Sequence, residues 1–137
     1  MITGLTSGCF DLFHFSHLLY LQRCRSLCDR LIVGVDSDEL VKKSKGDSRP
    51  IIPENERLEL ISNLGIVHTA FILKRVEDLD DVAKKFGVNK LFKHQSFWNM
   101  ENVFGIGTGA ELVIIQDIPG MVSTSQIIDR IVGRYGN

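Results

Sequence analysis

Residues 8–17, Gly8-Cys9-Phe10-Asp11-Leu12-Phe13-His14-Phe15-Ser16-His17, decide how this chain is read. They follow an apolar run that begins at residue 1 and precede a periodic stretch over residues 18–27, so the order is strand, turn, helix. Two histidines stand three apart where the helix opens, and positions i and i+3 share one helix face. Both imidazoles can therefore address one ligand. The first turn of a helix adds unsatisfied N–H groups and about half a positive charge, which suits a phosphate. A histidine pair at such an end can stabilise charge building on a triphosphate.

The same alternation continues outward. Residues 1–7 read as a first strand and residues 17–27 as a helix; Arg30–Asp36 is a near-continuous apolar run, the pattern of a strand buried on both faces. Residues 36–50 form a polar stretch, after which Pro53 opens a helix reaching Asn63, with Leu58, Ile61 and Leu64 at helical spacing. Residues 68–73 read as a strand, Asp78–Phe86 as a helix stopped by Gly87, and residues 90–93 and 112–115 as two short strands. Ser123 caps a last helix over residues 124–134. Strand–helix alternation implies right-handed βαβ crossovers. The expected fold is α/β and Rossmann-like: one domain over residues 1–137, with a doubly wound parallel sheet of about five strands and helices on both faces. Ligands in such sheets bind beyond the strand C-termini, where the order switches, and the His14/His17 turn belongs at that edge. Gly105-Ile106-Gly107-Thr108-Gly109 looks like a dinucleotide fingerprint, but it precedes a strand instead of following one, so a flexible turn is the better reading.

Bulk properties narrow the classes. A chain of 137 residues suits one domain, and a domain of that size buries roughly 68–70% of its unfolded surface. A net charge of −1 gives no electrostatic footprint for nucleic acid or an anionic membrane, so polyanion binding must come from a local pocket. Cys9, Cys24 and Cys28 are odd in number and lack disulfide-framework spacing. Cys24 and Cys28 lie i,i+4 on the first helix and read as small buried thiols before a metal or redox pair. No basic start precedes the first apolar run and no stretch approaches the ~18 apolar residues of a membrane span, which points to a cytoplasmic protein.

The pattern G-x-F-D-x-x-H-x-x-H is similar to the signature of the cytidylyltransferase-like nucleotidyltransferases, whose histidines sit in H-x-G-H. Three further segments extend the resemblance from Gly8 to Ile128. Residues 42–50 read in isolation as a solvated basic loop, yet Lys45-Gly46-Asp47-Ser48-Arg49-Pro50 resembles the K-G-x-S-R-P loop of ADP-heptose-forming adenylyltransferases. Arg57, in Pro53-Glu54-Asn55-Glu56-Arg57-Leu58, reads as a surface residue of an amphipathic helix; relatives carry an arginine there directed at phosphate. Val122-Ser123-Thr124-Ser125 is a helix cap that also matches a family segment where hydroxyls and N–H groups receive phosphate oxygens, and one geometry serves both roles.

The resemblance implies a transfer of a nucleoside monophosphate, AMP from ATP, to a sugar phosphate such as a heptose 1-phosphate, with release of pyrophosphate. A CTP-dependent enzyme acting on glycerol 3-phosphate or a similar alcohol phosphate is the alternative within the family. A nucleotide-binding module without catalysis is the alternative outside it. By the same resemblance His14, His17, Lys45 and Arg57 carry catalysis, and Gly8, Cys9, Phe10, Ser123 and Thr124 join the histidines in holding nucleotide. Asp11, Arg49, Lys93 and Trp98 face the acceptor substrate. Asp11 reads equally as a tie within its own turn, Arg49 as a brace or an anion grip, and Trp98 as a stacking face or ordinary packing. Mg²⁺ is expected on the triphosphate, largely water-ligated, because no carboxylate cage is evident. Self-association as a homodimer is implied too. Two departures stand out: Ser16 replaces the signature's glycine, either bonding nucleotide or crowding it, and Lys93-His94-Gln95-Ser96-Phe97-Trp98 lacks the acidic residue of the corresponding family loop.

Overall fold

A computed structural model describes residues 1–95 and 109–136. The apolar runs form five parallel strands, β1 (Thr3–Gly8), β2 (Arg30–Asp36), β3 (Thr69–Leu73), β4 (Lys90–His94) and β5 (Glu111–Ile115). Between and after them lie α1 (Phe15–Ser26), α2 (Asp38–Lys45), α3 (Glu54–Ser62), α4 (Asp78–Phe86) and α5 (Thr124–Tyr135). The sheet order is β3-β2-β1-β4-β5, every neighbour parallel, so the order switches between β1 and β4. The α/β Rossmann-like expectation holds. Residues 96–108, which include Trp98 and most of the Gly105–Gly109 run, lie outside the described residues.

Burial on both faces explains the apolar runs. Successive strand side chains alternate sides: in β2, Leu31, Val33 and Val35 join Leu21 and Cys24 of α1 and Ile61 of α3 in one layer. Ile32 turns to the other layer with Leu5, Leu79, Ala83 and Leu91, so α4 covers that face. Each of these fully buried leucine and isoleucine side chains contributes roughly 1.5–3 kcal/mol of transfer free energy. Cys24 and Cys28 are free, buried thiols in the first layer, and burial pushes the Cys24 thiol up to about 12, which keeps it protonated.

One element departs from the sequence reading. The polar stretch after β2 holds a helix, α2, whose N-cap Ser37 accepts a hydrogen bond from the Leu40 amide at 3.1 Å. Its single buried residue, Val41, gives too narrow an apolar stripe to show as periodicity. The pairing of β1 with β4 is short, in register only through Gly4–Lys90 and Leu5–Leu91, whereas β1 and β2 pair along six positions. Beyond Leu5 the two central strands part, and Thr6 Oγ1 reaches across to donate to the Phe92 carbonyl at 3.1 Å.

Candidate active site

The parting of β1 and β4 opens a cavity of about 710 Å³ at the C-terminal edge of the sheet. Its walls bring together Gly8, Cys9, Phe10, His14 and His17 from the first turn, Lys45 and Arg49 from the second segment, Lys93 from β4, and Ser123 and Thr124 from the start of α5. Ten of the residues singled out in the sequence therefore meet at one place, although they span more than a hundred positions.

The turn that carries the histidines is bent by two left-handed residues, Phe10 (φ 54°) and Leu12 (φ 49°). Such conformations cost of order 1–3 kcal/mol each in a non-glycine residue and persist where the surroundings hold them. Asp11, between them, supplies that hold. Its carboxylate is 1% exposed and accepts from the Ile51 and Ile52 amides at 2.7 and 2.9 Å, with Arg49 Nε at 3.6 Å. Asp11 thus ties its turn to a segment forty residues away, which corrects both sequence readings: the tie is not local, and the carboxylate does not line the cavity. A Cβ at Gly8 would stand 3.0 Å from the Phe10 ring, so a larger residue there would press on that ring.

His14 is the N-cap of α1, and its Nδ1 lies 2.9 Å from the Leu12 carbonyl. A carbonyl only accepts, so Nδ1 carries a proton there; Nε2 can then donate to a phosphate oxygen only on a doubly protonated ring. His17 has the opposite arrangement. Its Nδ1 accepts from the His14 amide at 3.4 Å, which leaves the proton of the neutral ring on Nε2. The two rings are 4.0 Å apart, and the buried edge of Phe10 packs at 5.6 Å on His17. Burial, then the neighbouring His14 and Lys45, lower the His17 pKa to about 3. His17 is a neutral hydrogen-bond donor at physiological pH.

This has a measurable consequence. An unfolded histidine titrates near 6.5. Between about pH 6.5 and 3 the unfolded chain takes up a proton at His17 that the folded chain does not. Folding stability contributed here is therefore intact above pH 6.5 and lost as pH falls, by up to ~1.4 kcal/mol per unit. Asp36 acts in the opposite sense, because burial raises its carboxyl to about 6. In urea titrations, wild type should lose stability relative to His17→Asn as pH is lowered from 6.5 to 4; parallel curves for the two proteins would contradict the assignment.

Arg57 occupies a different place from the one expected. It is 1% exposed, and its guanidinium donates to the Ile52, Cys9 and Asp36 carbonyls at 2.8, 2.7 and 2.7 Å and to Asp38 Oδ1 at 2.8 Å. It belongs to the interior and does not line the main cavity; its edge borders a smaller, mostly apolar one of about 550 Å³ with Phe13 and Leu60. The side chain pins the end of β2 to the histidine turn. Asp36 was missed in the sequence, although an acidic residue ending a buried strand at the binding edge was the available signal. It lines the cavity together with Lys93, and burial draws both toward their neutral forms while their mutual attraction opposes this. At the far wall His94 Nδ1 meets Asp117 Oδ1 at 2.9 Å, and the Asp117 amide donates to Gln95 Oε1 at 3.1 Å. At α5, Ser123 Oγ accepts from the Gln126 amide at 3.2 Å and Gln126 Oε1 accepts from the Ser123 amide at 2.9 Å, a reciprocal cap.

A parallel sheet with paired histidines and a capped helix end facing one switch-point cavity defines a nucleotide-handling α/β domain. The cytidylyltransferase-like family model matches residues 5–130, and the chain belongs to that family, the nucleotidyltransferase class of this fold. It is 35% identical over 134 residues to the bifunctional protein HldE of Citrifermentans bemidjiense, covering 95% of this chain and 27% of that protein. It is 36% identical over 131 residues to the HldE of Hyphomonas neptunium, covering 93% and 26%. The chain thus spans about a quarter of the length of these relatives. Among solved structures, a lipopolysaccharide core biosynthesis protein from Thermoplasma volcanium superposes with a TM-score of 0.68 at 26% identity, covering 86% of this chain and 97% of the other. No helix among the described residues is long and apolar enough to cross a membrane.

Proposed function

We propose that this domain transfers AMP from ATP to a sugar phosphate such as a heptose 1-phosphate and releases pyrophosphate. The observation that carries the reading is the placement of His17, a neutral donor, in the same cavity as the capped N-terminus of α5. Two protein surfaces that favour phosphate oxygens then bracket one triphosphate. An acceptor phosphate oxygen attacks the α-phosphorus in line, the bond to the bridging oxygen breaks, and pyrophosphate leaves with the electron pair. No protein nucleophile is required. Catalysis rests on positioning and on donors aimed at developing charge. His14 and His17 address the α/β-phosphate region, Lys45 and the Ser123/Thr124 helix end hold phosphates, and Arg49 and Lys93 face the acceptor. Arg57 acts from behind, by holding the turn.

The sugar-phosphate acceptor is supported by the Lys45–Pro50 segment and by the relatives named above. Mg²⁺ fits as an ion carried by the triphosphate: the cavity carboxylate of Asp36, with phosphate oxygens and water, suits its octahedral preference, while Asp117 on the far wall is engaged by His94. When bound it would neutralise phosphate charge. Homodimerisation belongs to the same reading. It is supported by α5, which has no buried residue and leaves Ile131, Val132 and Tyr135 at 50, 62 and 85% exposure, and sedimentation velocity checks it.

The deciding assay is pyrophosphate release with ATP or CTP across a panel of sugar and alditol phosphates. Turnover with ATP and a sugar phosphate is the expected result. Turnover with CTP and glycerol 3-phosphate alone would move the protein to the cytidylyltransferase reading, and nucleotide binding without turnover to a binding module.

A further inference from the structure

Ser16 stands where the H-x-G-H signature has glycine, and the structure gives its hydroxyl a specific partner. Ser16 Oγ donates to the Val122 carbonyl at 2.6 Å, across 106 residues of sequence. Val122 immediately precedes Ser123, the N-cap of α5. Seven residues along α1, Arg23 Nη1 donates to the Gln116 carbonyl at 3.3 Å. Seven residues are close to two helical turns, so Ser16 and Arg23 share one stripe of α1. Together they hold the β5–α5 connection at both ends. Arg23 is exposed and its bond is long, whereas the Ser16 bond is short and partly buried. Thr124 Oγ1 adds a weaker contact to the Asp11 carbonyl at 3.4 Å.

This connection forms a wall of the main cavity through Asp117, Ile118, Met121 and Val122. A wall left loose must be ordered when a ligand arrives, and that entropy is subtracted from affinity; a wall already tied needs no such ordering. Glycine has no group that could make the tie.

We propose that Ser16 is a positioning residue: by fastening Val122 to α1, it presets the N-terminus of α5 opposite the two imidazoles for the phosphate chain of a nucleoside triphosphate. The proposal rests on the nucleotidyltransferase reading. Its test is calorimetric titration of wild type, Ser16→Ala, Ser16→Gly and Ser16→Thr with MgATP and MgCTP, together with hydrogen exchange over residues 116–123 without ligand. Losing the hydroxyl should raise the Kd of the preferred nucleotide about three- to tenfold, the size of one neutral hydrogen bond, and speed exchange in that segment. The nucleotide KM should rise more than kcat falls, and Ser16→Thr, which keeps the hydroxyl, should stay close to wild type. Ser16→Gly restores the signature residue and carries the test if Ser16→Ala does not fold. Wild-type binding with unchanged affinity or unchanged exchange in the hydroxyl-less variants overturns this proposal alone. A wild type that binds neither nucleotide overturns the nucleotidyltransferase reading and this proposal with it.

Discussion

His17→Ala should lower turnover by about 10²–10³-fold while leaving the protein folded. The size follows from removing one preorganised donor aimed at developing charge, ~2.7–4 kcal/mol of transition-state stabilisation. His17 meets the conditions for such a donor. Its Nδ1 is occupied by the His14 amide, its rotamer is packed against Phe10, and its pKa of about 3 keeps the ring neutral with the proton on the other nitrogen. Because the ring is already oriented, little reorganisation is left for the moment of reaction. His17→Gln should recover part of the rate, since an amide N–H₂ can donate without charge. Single-turnover pyrophosphate release measures both, and an alanine variant within threefold of wild type would sink the proposed mechanism.

Arg57→Ala should destabilise the fold by about 3–5 kcal/mol, the usual cost of removing one member of a buried charged network. Three carbonyls and the Asp38 carboxylate lose their donors at once, and two of the carbonyls sit at the mouth of the site, on Cys9 and Asp36. Arg57→Lys should rescue little, because a point-like ammonium cannot reproduce a fork that bonds in several directions. A Tm at least ~10 °C lower, read by circular dichroism, is the expected outcome. An arginine that mainly touched substrate would give the reverse pattern, an unchanged Tm with a raised KM, so the two roles separate in one experiment.

Arg57 also shows where sequence reading stops. On a helix written as Glu54-Asn55-Glu56-Arg57-Leu58, a charge that follows a polar first turn is indistinguishable from a solvated one. Burial of the guanidinium is decided largely by the distant carbonyls of Cys9, just past β1, and Asp36, at the end of β2; only Ile52, five residues before it, is local. Asp11 was obscured for the same reason, since its partners lie at Ile51 and Ile52. By contrast, all five strands and four of the five helices follow from periodicity, caps and breakers; Asp78–Phe86 ends at Gly87, which takes the left-handed conformation expected of a helix stop. The histidine pair was legible because a residue that caps a helix and the third residue after it sit side by side, which brings positions 14 and 17 together. Convergence of Lys93 and Ser123 on the same cavity followed from strand order, since one lies near the end of β4 and the other follows β5, whereas Lys45 reaches it from the end of α2.

The short pairing of β1 with β4 has a thermodynamic corollary. β1–β3 with their helices form one bank of the crevice, β4, β5 and α5 the other, and along the upper half of that seam backbone rungs are missing. A phosphate chain gripped by the imidazoles on one bank and by α5 on the other would take the place of those rungs. Nucleotide would then act as a mortar between the halves as well as a reactant, and the cohesion of the sheet would grow with occupancy, as RT ln(1 + [L]/Kd) requires of any ligand that binds only the assembled form.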